Sequence, residues 1–328
     1  MTDRFKAMIV EEQPEKKFTR RIGNRAISDL PENPLLIKVQ YSSLNYKDAL
    51  SATGNRGVTR NFPHTPGIDA AGEVVNDTSG TFKPGDQVVV TGWDLGMNTA
   101  GGYGEYIRIP AEWAITLPDG LSLRDSMILG TAGFTAGLSV QALTGRISPE
   151  AGEILVTGAT GGVGSVAVAL LARAGYRVVA VTGKADQADF LKGLGAGEVV
   201  AREAIMENAD RPMMKERWAG AVDVVGGEML AAILKSTSYG GTVTCCGLVG
   251  STELPVNVFP FILRGVSLLG IDSVQCPKQL RQEVWDKLAG EWKIDLEALV
   301  KEVALEDLED SIQAILKGEL RGRVLVKL

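Results

Sequence analysis

Along the first third of the chain, apolar and polar positions alternate in short runs. "PLLIKVQYSSL" (34–44) and "DQVVVTGW" (86–93) are rich in Val, Ile and Tyr and are bounded by Pro, Gly or Asp, a pattern that predicts strands. "FKPGDQVVV" (82–90) adds a Pro-Gly turn feeding a strand. In "PGIDAAGEVV" (66–75), Pro66, Gly67 and Gly72 punctuate a strand as glycine and proline do where a barrel bends. From about Asp125 the texture changes to apolar runs separated by helical patterns. "GEILVTGA", "YRVVAVTG", "GAVDVVGG" and "GGTVTCCGLVG" read as buried strands, while "GGVGSVAVALLARAG" and "KADQADFLKGLGA" read as helices. Apolar β-branched runs alternating with helices predict a parallel sheet covered on both faces. The tail "EDLEDSIQAILKGELRGRVLVKL" reads as a helix, a turn and a last strand.

Length and composition narrow this picture. At about 150 residues per domain, 328 residues predict two domains. Apolar residues make up 45% and charged residues 23%, ordinary for a globular protein. The formal net charge of −6, from 34 basic and 40 acidic residues, argues against a protein that tracks nucleic-acid phosphates. "MTDRFKAMIVEEQPEKK" has neither the apolar core nor the small-residue site of a signal peptide. The densest apolar run, 163–172, is about half the length of a membrane span, so no membrane association is expected. Three cysteines, two of them adjacent (Cys245, Cys246), cannot build a disulfide framework and suit a reducing cytoplasm.

The chemistry begins at "GATGGVGSVAVALLARAG" (158–175). A strand, 154–157, runs into a cluster of small residues that opens onto an apolar helix. Ala159, Gly161 and Gly164 occupy the three small positions of G-x-G-x-x-G, with Gly162 beside them. Such a turn lets a pyrophosphate approach the backbone at the positive end of a helix. Alanine at the first position narrows the conformational freedom of the turn. About 20 residues on, a carboxylate would accept the ribose hydroxyl of NAD. Here the strand ends in Thr182, Gly183 and Lys184, with Arg202 after the next strand. A hydroxyl, a backbone amide and cations suit a 2′-phosphate, so NADPH is the expected cofactor. The plain reading of Lys184 is a surface lysine, and Asp186 is expected to cap a helix.

One histidine, His64 in "NFPHTPG", and no cysteine before Cys245 leave no donor set for a catalytic zinc. His64 reads as a loop residue, and Cys245 and Cys246 as apolar strand positions. Without a metal nothing lowers an alcohol's pKa, whereas reducing an alkene conjugated with a carbonyl asks only for donors to a developing enolate. The chain therefore points to enones, quinones or enoyl thioesters.

"SSLNYKDAL", "PGIDAAG", "GTAGFTA", "GATGGVG", "PFILRGVSLLGIDS" and "GRVLVKL" occur in order over nearly the whole length. Together they resemble the zinc-free, quinone-oxidoreductase-like branch of the medium-chain dehydrogenase/reductase superfamily, closest to its acryloyl-CoA reductases. The resemblance implies an α/β protein: a GroES-like β-barrel catalytic domain over 1–125, completed by about 296–328, and a Rossmann doubly wound parallel sheet domain over 126–295. It implies a cytoplasmic homodimer, paired through the strand in "VSLLGI", that reduces acryloyl-CoA to propanoyl-CoA with NADPH. Tyr46 matches the tyrosine bordering the nicotinamide and is the candidate catalytic residue. Thr160, Gly161, Gly162 and Val163 match the pyrophosphate loop. Thr182, Gly183, Lys184 and Arg202 match the 2′-phosphate pocket, where Lys184 replaces the family's arginine and loses its bidentate fork. Leu248, Ile262 and Ser273 match positions near the nicotinamide half, and Arg323 a tail arginine near the cofactor.

Nearby residues have two readings each. Asn45 is a candidate for the nicotinamide carboxamide or for stabilising its own turn. Lys47 and Asp48 either orient Tyr46 or form a solvated turn. Thr131 is expected to cap the long helix at "GTAGFTA". Arg56 and Arg60 are candidates for CoA phosphates or ordinary surface. Two other functions fit the same motifs: an NADPH:quinone or small-enone reductase, and a non-catalytic NADPH-binding sensor.

Overall fold

The computed structural model describes residues 4–328. In chain order the elements are β1 (Arg4–Gln13), β2 (Lys17–Ala26), β3 (Leu35–Ser43), α1 (Tyr46–Ala52), β4 (Asp69–Asp77), β5 (Gln87–Thr91), β6 (Tyr106–Ile109), β7 (Ala114–Thr116) and α2 (Leu123–Thr144). Then follow β8 (Glu153–Val156), α3 (Gly162–Arg173), β9 (Arg177–Thr182), α4 (Ala188–Gly193), β10 (Glu198–Ala201), α5 (Arg202–Met206), β11 (Trp218–Asp223), α6 (Gly227–Ser236) and β12 (Thr237–Cys245). The chain ends with α7 (Phe259–Arg264), β13 (Ser267–Gly270), α8 (Lys278–Ala289), β14 (Val300–Ala304), α9 (Leu308–Leu316) and β15 (Arg323–Lys327).

These elements form two compact units. The first runs to Thr131 and includes Val274–Ala289 and Leu299–Leu328; the second is Ala132–Ser273 with Gly290–Ala298. The boundary thus falls at Thr131 rather than 125, and α8, expected in the nucleotide-binding domain, belongs to the first unit. Arg281 of α8 explains this: its buried guanidinium donates to the carbonyl (2.9 Å) and hydroxyl (2.8 Å) of Thr91 at the end of β5.

In the first unit, β1 and β2 form an antiparallel ribbon. A seven-stranded sheet runs β14-β15-β3-β4-β5-β7, with β6 on β3. Alternate residues of β3 and β5, among them Leu35, Ile37, Val39, Val88 and Val90, fill the core against Ile107 and Ile109. At Gly72 a side chain would overlap the Lys38 carbonyl oxygen, so β4 can press on β3 there, where the register shifts. The ends of β3, β5 and the starts of β4, β15 lie at one end of this sheet, because Ser43 faces Leu325 and Asp69 faces Thr91.

α2 begins at Leu123, ahead of the "GTAGFTA" segment, and is two helical segments broken at Gly130 (φ 52°, ψ −156°). By length and composition α2 could cross a bilayer, but most of it is buried inside the protein, as for a core helix. The densest apolar run of the sequence, 163–172, lies instead in α3.

The second unit holds six parallel strands in the order β10-β9-β8-β11-β12-β13. Counted within the unit this is 3-2-1-4-5-6, the doubly wound order that binds nucleotides where the strand sequence reverses. The reversal lies between β8 and β11. Leu155, Val179, Val181, Ala221 and Val243 are buried in one cluster with Ile233 of α6, which is why these strands read as continuous apolar runs.

Candidate functional site

The glycine-rich turn follows directly from β8. At its first residue the Thr157 hydroxyl donates to Asp223 Oδ1 (2.7 Å) and accepts from the Val224 amide (3.0 Å). Gly226 N donates to Asp223 Oδ2 (2.7 Å). This buried group ties the ends of β8 and β11 together at the reversal point; burial raises the Asp223 carboxyl above its ordinary range, opposed by these hydrogen bonds. Sequence reading missed it, although "GAVDVVGG" shows an acid ending an apolar strand.

The left-handed residue of the turn is Gly158 (φ 53°), whereas Ala159 is not at positive φ. Alanine at the first motif position is therefore without conformational cost. Gly161 N closes the turn on Gly158 O (2.9 Å), and a side chain at Gly164 would overlap that same carbonyl. The first turn of α3 offers the partly exposed amides of Gly162 and Val163, which have no acceptor within the helix, and it carries no acidic residue. A twelve-residue helix with such a start fits an anionic pyrophosphate.

Beside it, β10 pairs with β9 so that Ala201 faces Thr182. That register brings Arg202 over Gly183: a Cβ built on Gly183 would lie 2.9 Å from Arg202 Cζ and Nε. The Lys184 amide donates to Thr182 Oγ1 (3.0 Å). Thr182, Gly183, Lys184 and Arg202 thus follow the same C-terminal end of the sheet as Thr160–Val163. Asp186 is no helix cap; it lies inside a 3-10 turn, where the Gln187 side chain donates to it (2.5 Å).

Leu248, in the loop after β12 at that edge, is 65% exposed. A side chain at the preceding Gly247 would overlap the Val224 carbonyl, so this loop packs closely on the end of β11. Ser273 is buried and accepts from Thr135 Oγ1 (2.9 Å). Ile262 lies apart from the loop, on α7, 69% exposed beside Val258, Phe259 and Leu263. Cys245 and Cys246 are half-buried, and burial, with Asp223 nearby, pushes the Cys246 thiol up to about 12.

In the first unit Tyr46 opens α1 and is 44% exposed. Around its backbone lies a buried polar network. Asn45 N and Ile68 N donate to Asp48 (2.8 and 2.7 Å), and Asn45 Nδ2 donates to both Asp48 Oδ2 (3.2 Å) and Asp69 Oδ2 (2.8 Å). Asp69 also accepts from Ser43 Oγ, Thr131 N (2.9 Å) and Thr131 Oγ1 (2.5 Å). Arg323, 3% exposed, donates to the carbonyls of Ile128 (2.9 Å) and Leu44 (3.3 Å) and to Asn45 Oδ1 (3.4 Å). Its Nη2 is buried without a partner. Burial lowers the Arg323 guanidinium, opposed by Asp69 and Asp48. Burial, reinforced by Asp69, raises Asp48 to about 7.

Several expectations change here. Asn45 is committed to its own turn and the two carboxylates. Asp48 is wholly buried, not part of a solvated turn. Thr131 is held by Asp69 rather than capping the helix itself. Arg323 spends its contacts inside the first unit. Arg56 is taken up by Glu12 (2.5 Å) and the faces of Phe18 and Phe62. His64 is buried, its ring Nε2 2.9 Å from Gly96 O, and burial lowers its pKa. Among the described residues no three His, Cys, Asp or Glu side chains are grouped to hold a metal ion.

A GroES-like sheet and a 3-2-1-4-5-6 sheet with a glycine-rich nucleotide turn define a medium-chain dehydrogenase/reductase. Two family models agree: "Alcohol dehydrogenase GroES-like domain" over residues 31–119 and "Zinc-binding dehydrogenase" over residues 162–290. The zinc of the second description finds no cluster of three His, Cys, Asp or Glu side chains among the described residues. The chain is 46% identical to acrylyl-CoA reductase AcuI of Ruegeria pomeroyi, over 98% of both chains. It superposes on the yhdH oxidoreductase of Salmonella enterica, solved with NADP, with a TM-score of 0.95 at 44% identity, covering 98% and 99% of the two chains. It superposes on Bacillus subtilis yhfP, solved with NAD, with a TM-score of 0.96 at 46% identity and 99% of each chain. The chain belongs to the zinc-free, quinone-oxidoreductase-like family of medium-chain dehydrogenases/reductases.

Proposed function

We propose that this protein reduces the carbon–carbon double bond of a 2-enoyl thioester with NADPH, acryloyl-CoA to propanoyl-CoA. The observation that carries the reading is the 46% identity with an acrylyl-CoA reductase across 98% of the chain. When bound, NADPH supplies the hydride for the β-carbon of the substrate, and a proton completes the α-carbon. The amides of Gly162 and Val163 hold the pyrophosphate at the start of α3. Arg202, Lys184 and Thr182 hold the 2′-phosphate, which NADH lacks. Leu248 and Ser273 serve the nicotinamide half, as the family resemblance implies. Tyr46, its ring accessible at the first turn of α1, donates the proton or positions the acyl group.

We further infer a homodimer in the cytoplasm. β13 is the edge of the six-stranded sheet, and Val258, Phe259, Ile262 and Leu263 form an exposed apolar face next to it. An unpaired edge beside such a face invites pairing with a second copy. The three cysteines are free, in keeping with a reducing compartment.

The deciding experiment follows NADPH consumption with acryloyl-CoA, crotonyl-CoA and a benzoquinone side by side. The highest kcat/KM is expected for acryloyl-CoA. Turnover of the quinone alone would replace the thioester reading, and tight NADPH binding without turnover of any of the three would make the protein a sensor.

A further inference from the structure

The buried network around the backbone of Tyr46 converges on one residue, Asp69. Asp69 begins β4 at one end of the sheet, fully buried. Its two carboxyl oxygens accept from four donors: Ser43 Oγ, Asn45 Nδ2, Thr131 N and Thr131 Oγ1. Three of these donors meet Oδ2 and one meets Oδ1. The donors come from three elements. Ser43 ends β3, Asn45 is the residue immediately before α1, and Thr131 starts the second segment of α2. Thr131 N is the first amide after the break at Gly130 and is held by Asp69 of β4, while the Asn45 side chain that Asp69 also holds accepts from Arg323 Nη1 (3.4 Å).

The break at Gly130 is built for this contact. A Cβ there would lie 2.5 Å from Asp69 Oδ2 and from Ser43 Oγ, and 3.0 Å from Arg323 Nη2. Only a glycine lets the helix start approach the carboxylate so closely. The same oxygen, Oδ2, thus grips the residue before Tyr46 and the start of the helix.

We propose that Asp69 is a positioning residue for Tyr46: its carboxylate fixes the N-terminus of α1 against Thr131 and so sets where the tyrosine hydroxyl stands. The inference rests on the reductase reading above, in which Tyr46 meets the substrate. It places no direct contact between Asp69 and substrate.

The test is a double-mutant cycle in the full-length enzyme with Asp69→Asn and Tyr46→Phe. The amide nitrogen of Asn would face donors at Asn45 or Thr131, opening the clamp while keeping size. Asp69→Asn is expected to lower kcat about 100-fold, the scale of an ångström-sized misplacement, with NADPH Kd unchanged. In the Tyr46→Phe background the same substitution should change kcat by less than about 3-fold, because the group it places is gone. An equal loss in both backgrounds overturns the proposal. Thr131→Val removes one donor and should give the same non-additive pattern at about 10-fold, which keeps the test open if the Asn variant folds poorly.

A second arm does not use turnover. With 3-fluorotyrosine at position 46, the fluorine NMR signal should be one narrow line in the parent and split or broadened in Asp69→Asn. An unchanged line overturns the positioning role. A parent enzyme that turns over no enoyl thioester would sink the reductase reading instead, and the fluorine signal would still decide the clamp.

Discussion

Arg202→Ala tests how this protein selects its cofactor. The guanidinium rests on Gly183, 2.9 Å from where a Cβ would stand, because the β9–β10 register sets Ala201 opposite Thr182. It is exposed, so its bond to a 2′-phosphate is partly screened and belongs at the low end of charge-assisted hydrogen bonds, about 1.5–2 kcal/mol. That corresponds to roughly a 10- to 30-fold rise in KM for NADPH. Lys184 and Thr182 remain, so binding is weakened rather than lost. NADH carries no phosphate there, and its KM should move less than about 2-fold. Gly183→Ala should act in the same direction but less, since the far end of a flexible side chain can yield a few tenths of an ångström. Steady-state kinetics with each cofactor at saturating acryloyl-CoA give the ratio of kcat/KM values, and raised salt should shrink the difference. Equal losses with both cofactors, or no loss with either, would refute the assignment of this edge to a 2′-phosphate.

Gly130→Ala should destabilise the fold by about 3 kcal/mol or more, combining a backbone only glycine adopts readily with a clash against the Asp69 clamp; urea titration followed by tryptophan fluorescence reads it. Asp48 gives the folded protein a pH dependence. Its carboxyl, raised from 3.8 to about 7, keeps a proton that the unfolded chain releases, so stability should fall as pH rises from about 4 to about 7 and level off above. The span is on the order of 4 kcal/mol, and Asp48→Asn should remove it, seen as a flatter denaturant midpoint between acidic and neutral buffers. Val258→Asp with Ile262→Asp should convert the proposed dimer to a monomer in sedimentation velocity while leaving the far-UV circular dichroism unchanged.

The parallel sheet was legible because strands covered on both faces read as unbroken apolar runs, and the nucleotide turn because its glycines answer a local need for close approach. The meeting of Thr182, Gly183 and Arg202 was legible for a related reason: residues that end adjacent parallel strands must meet. The placement of α8 was not. An amphipathic helix announces that it has a buried face, not which domain receives it, and Arg281 finds its acceptor at Thr91, 190 positions earlier. Ala159 fits the first motif position because the positive φ sits one residue before it, at Gly158.

The clamp was legible only as an anomaly. "PGIDAAG" places one acid at the head of an otherwise small and apolar strand. A buried carboxylate without partners is costly, so such an acid implies donors. The sequence does not say which, since Asn45 lies 24 positions before it and Thr131 62 positions after. The same logic applies to "LNYKDAL". Its exposed tyrosine drew the functional reading, yet Asn45 and Asp48 on either side of it are the buried groups. At the start of α1 the backbone turns Tyr46 outward while Asn45 and Asp48 face inward. A short motif that carries chemistry is therefore best read in both directions: the accessible side chain names the reaction, and the inward ones name the residues elsewhere that hold it in place.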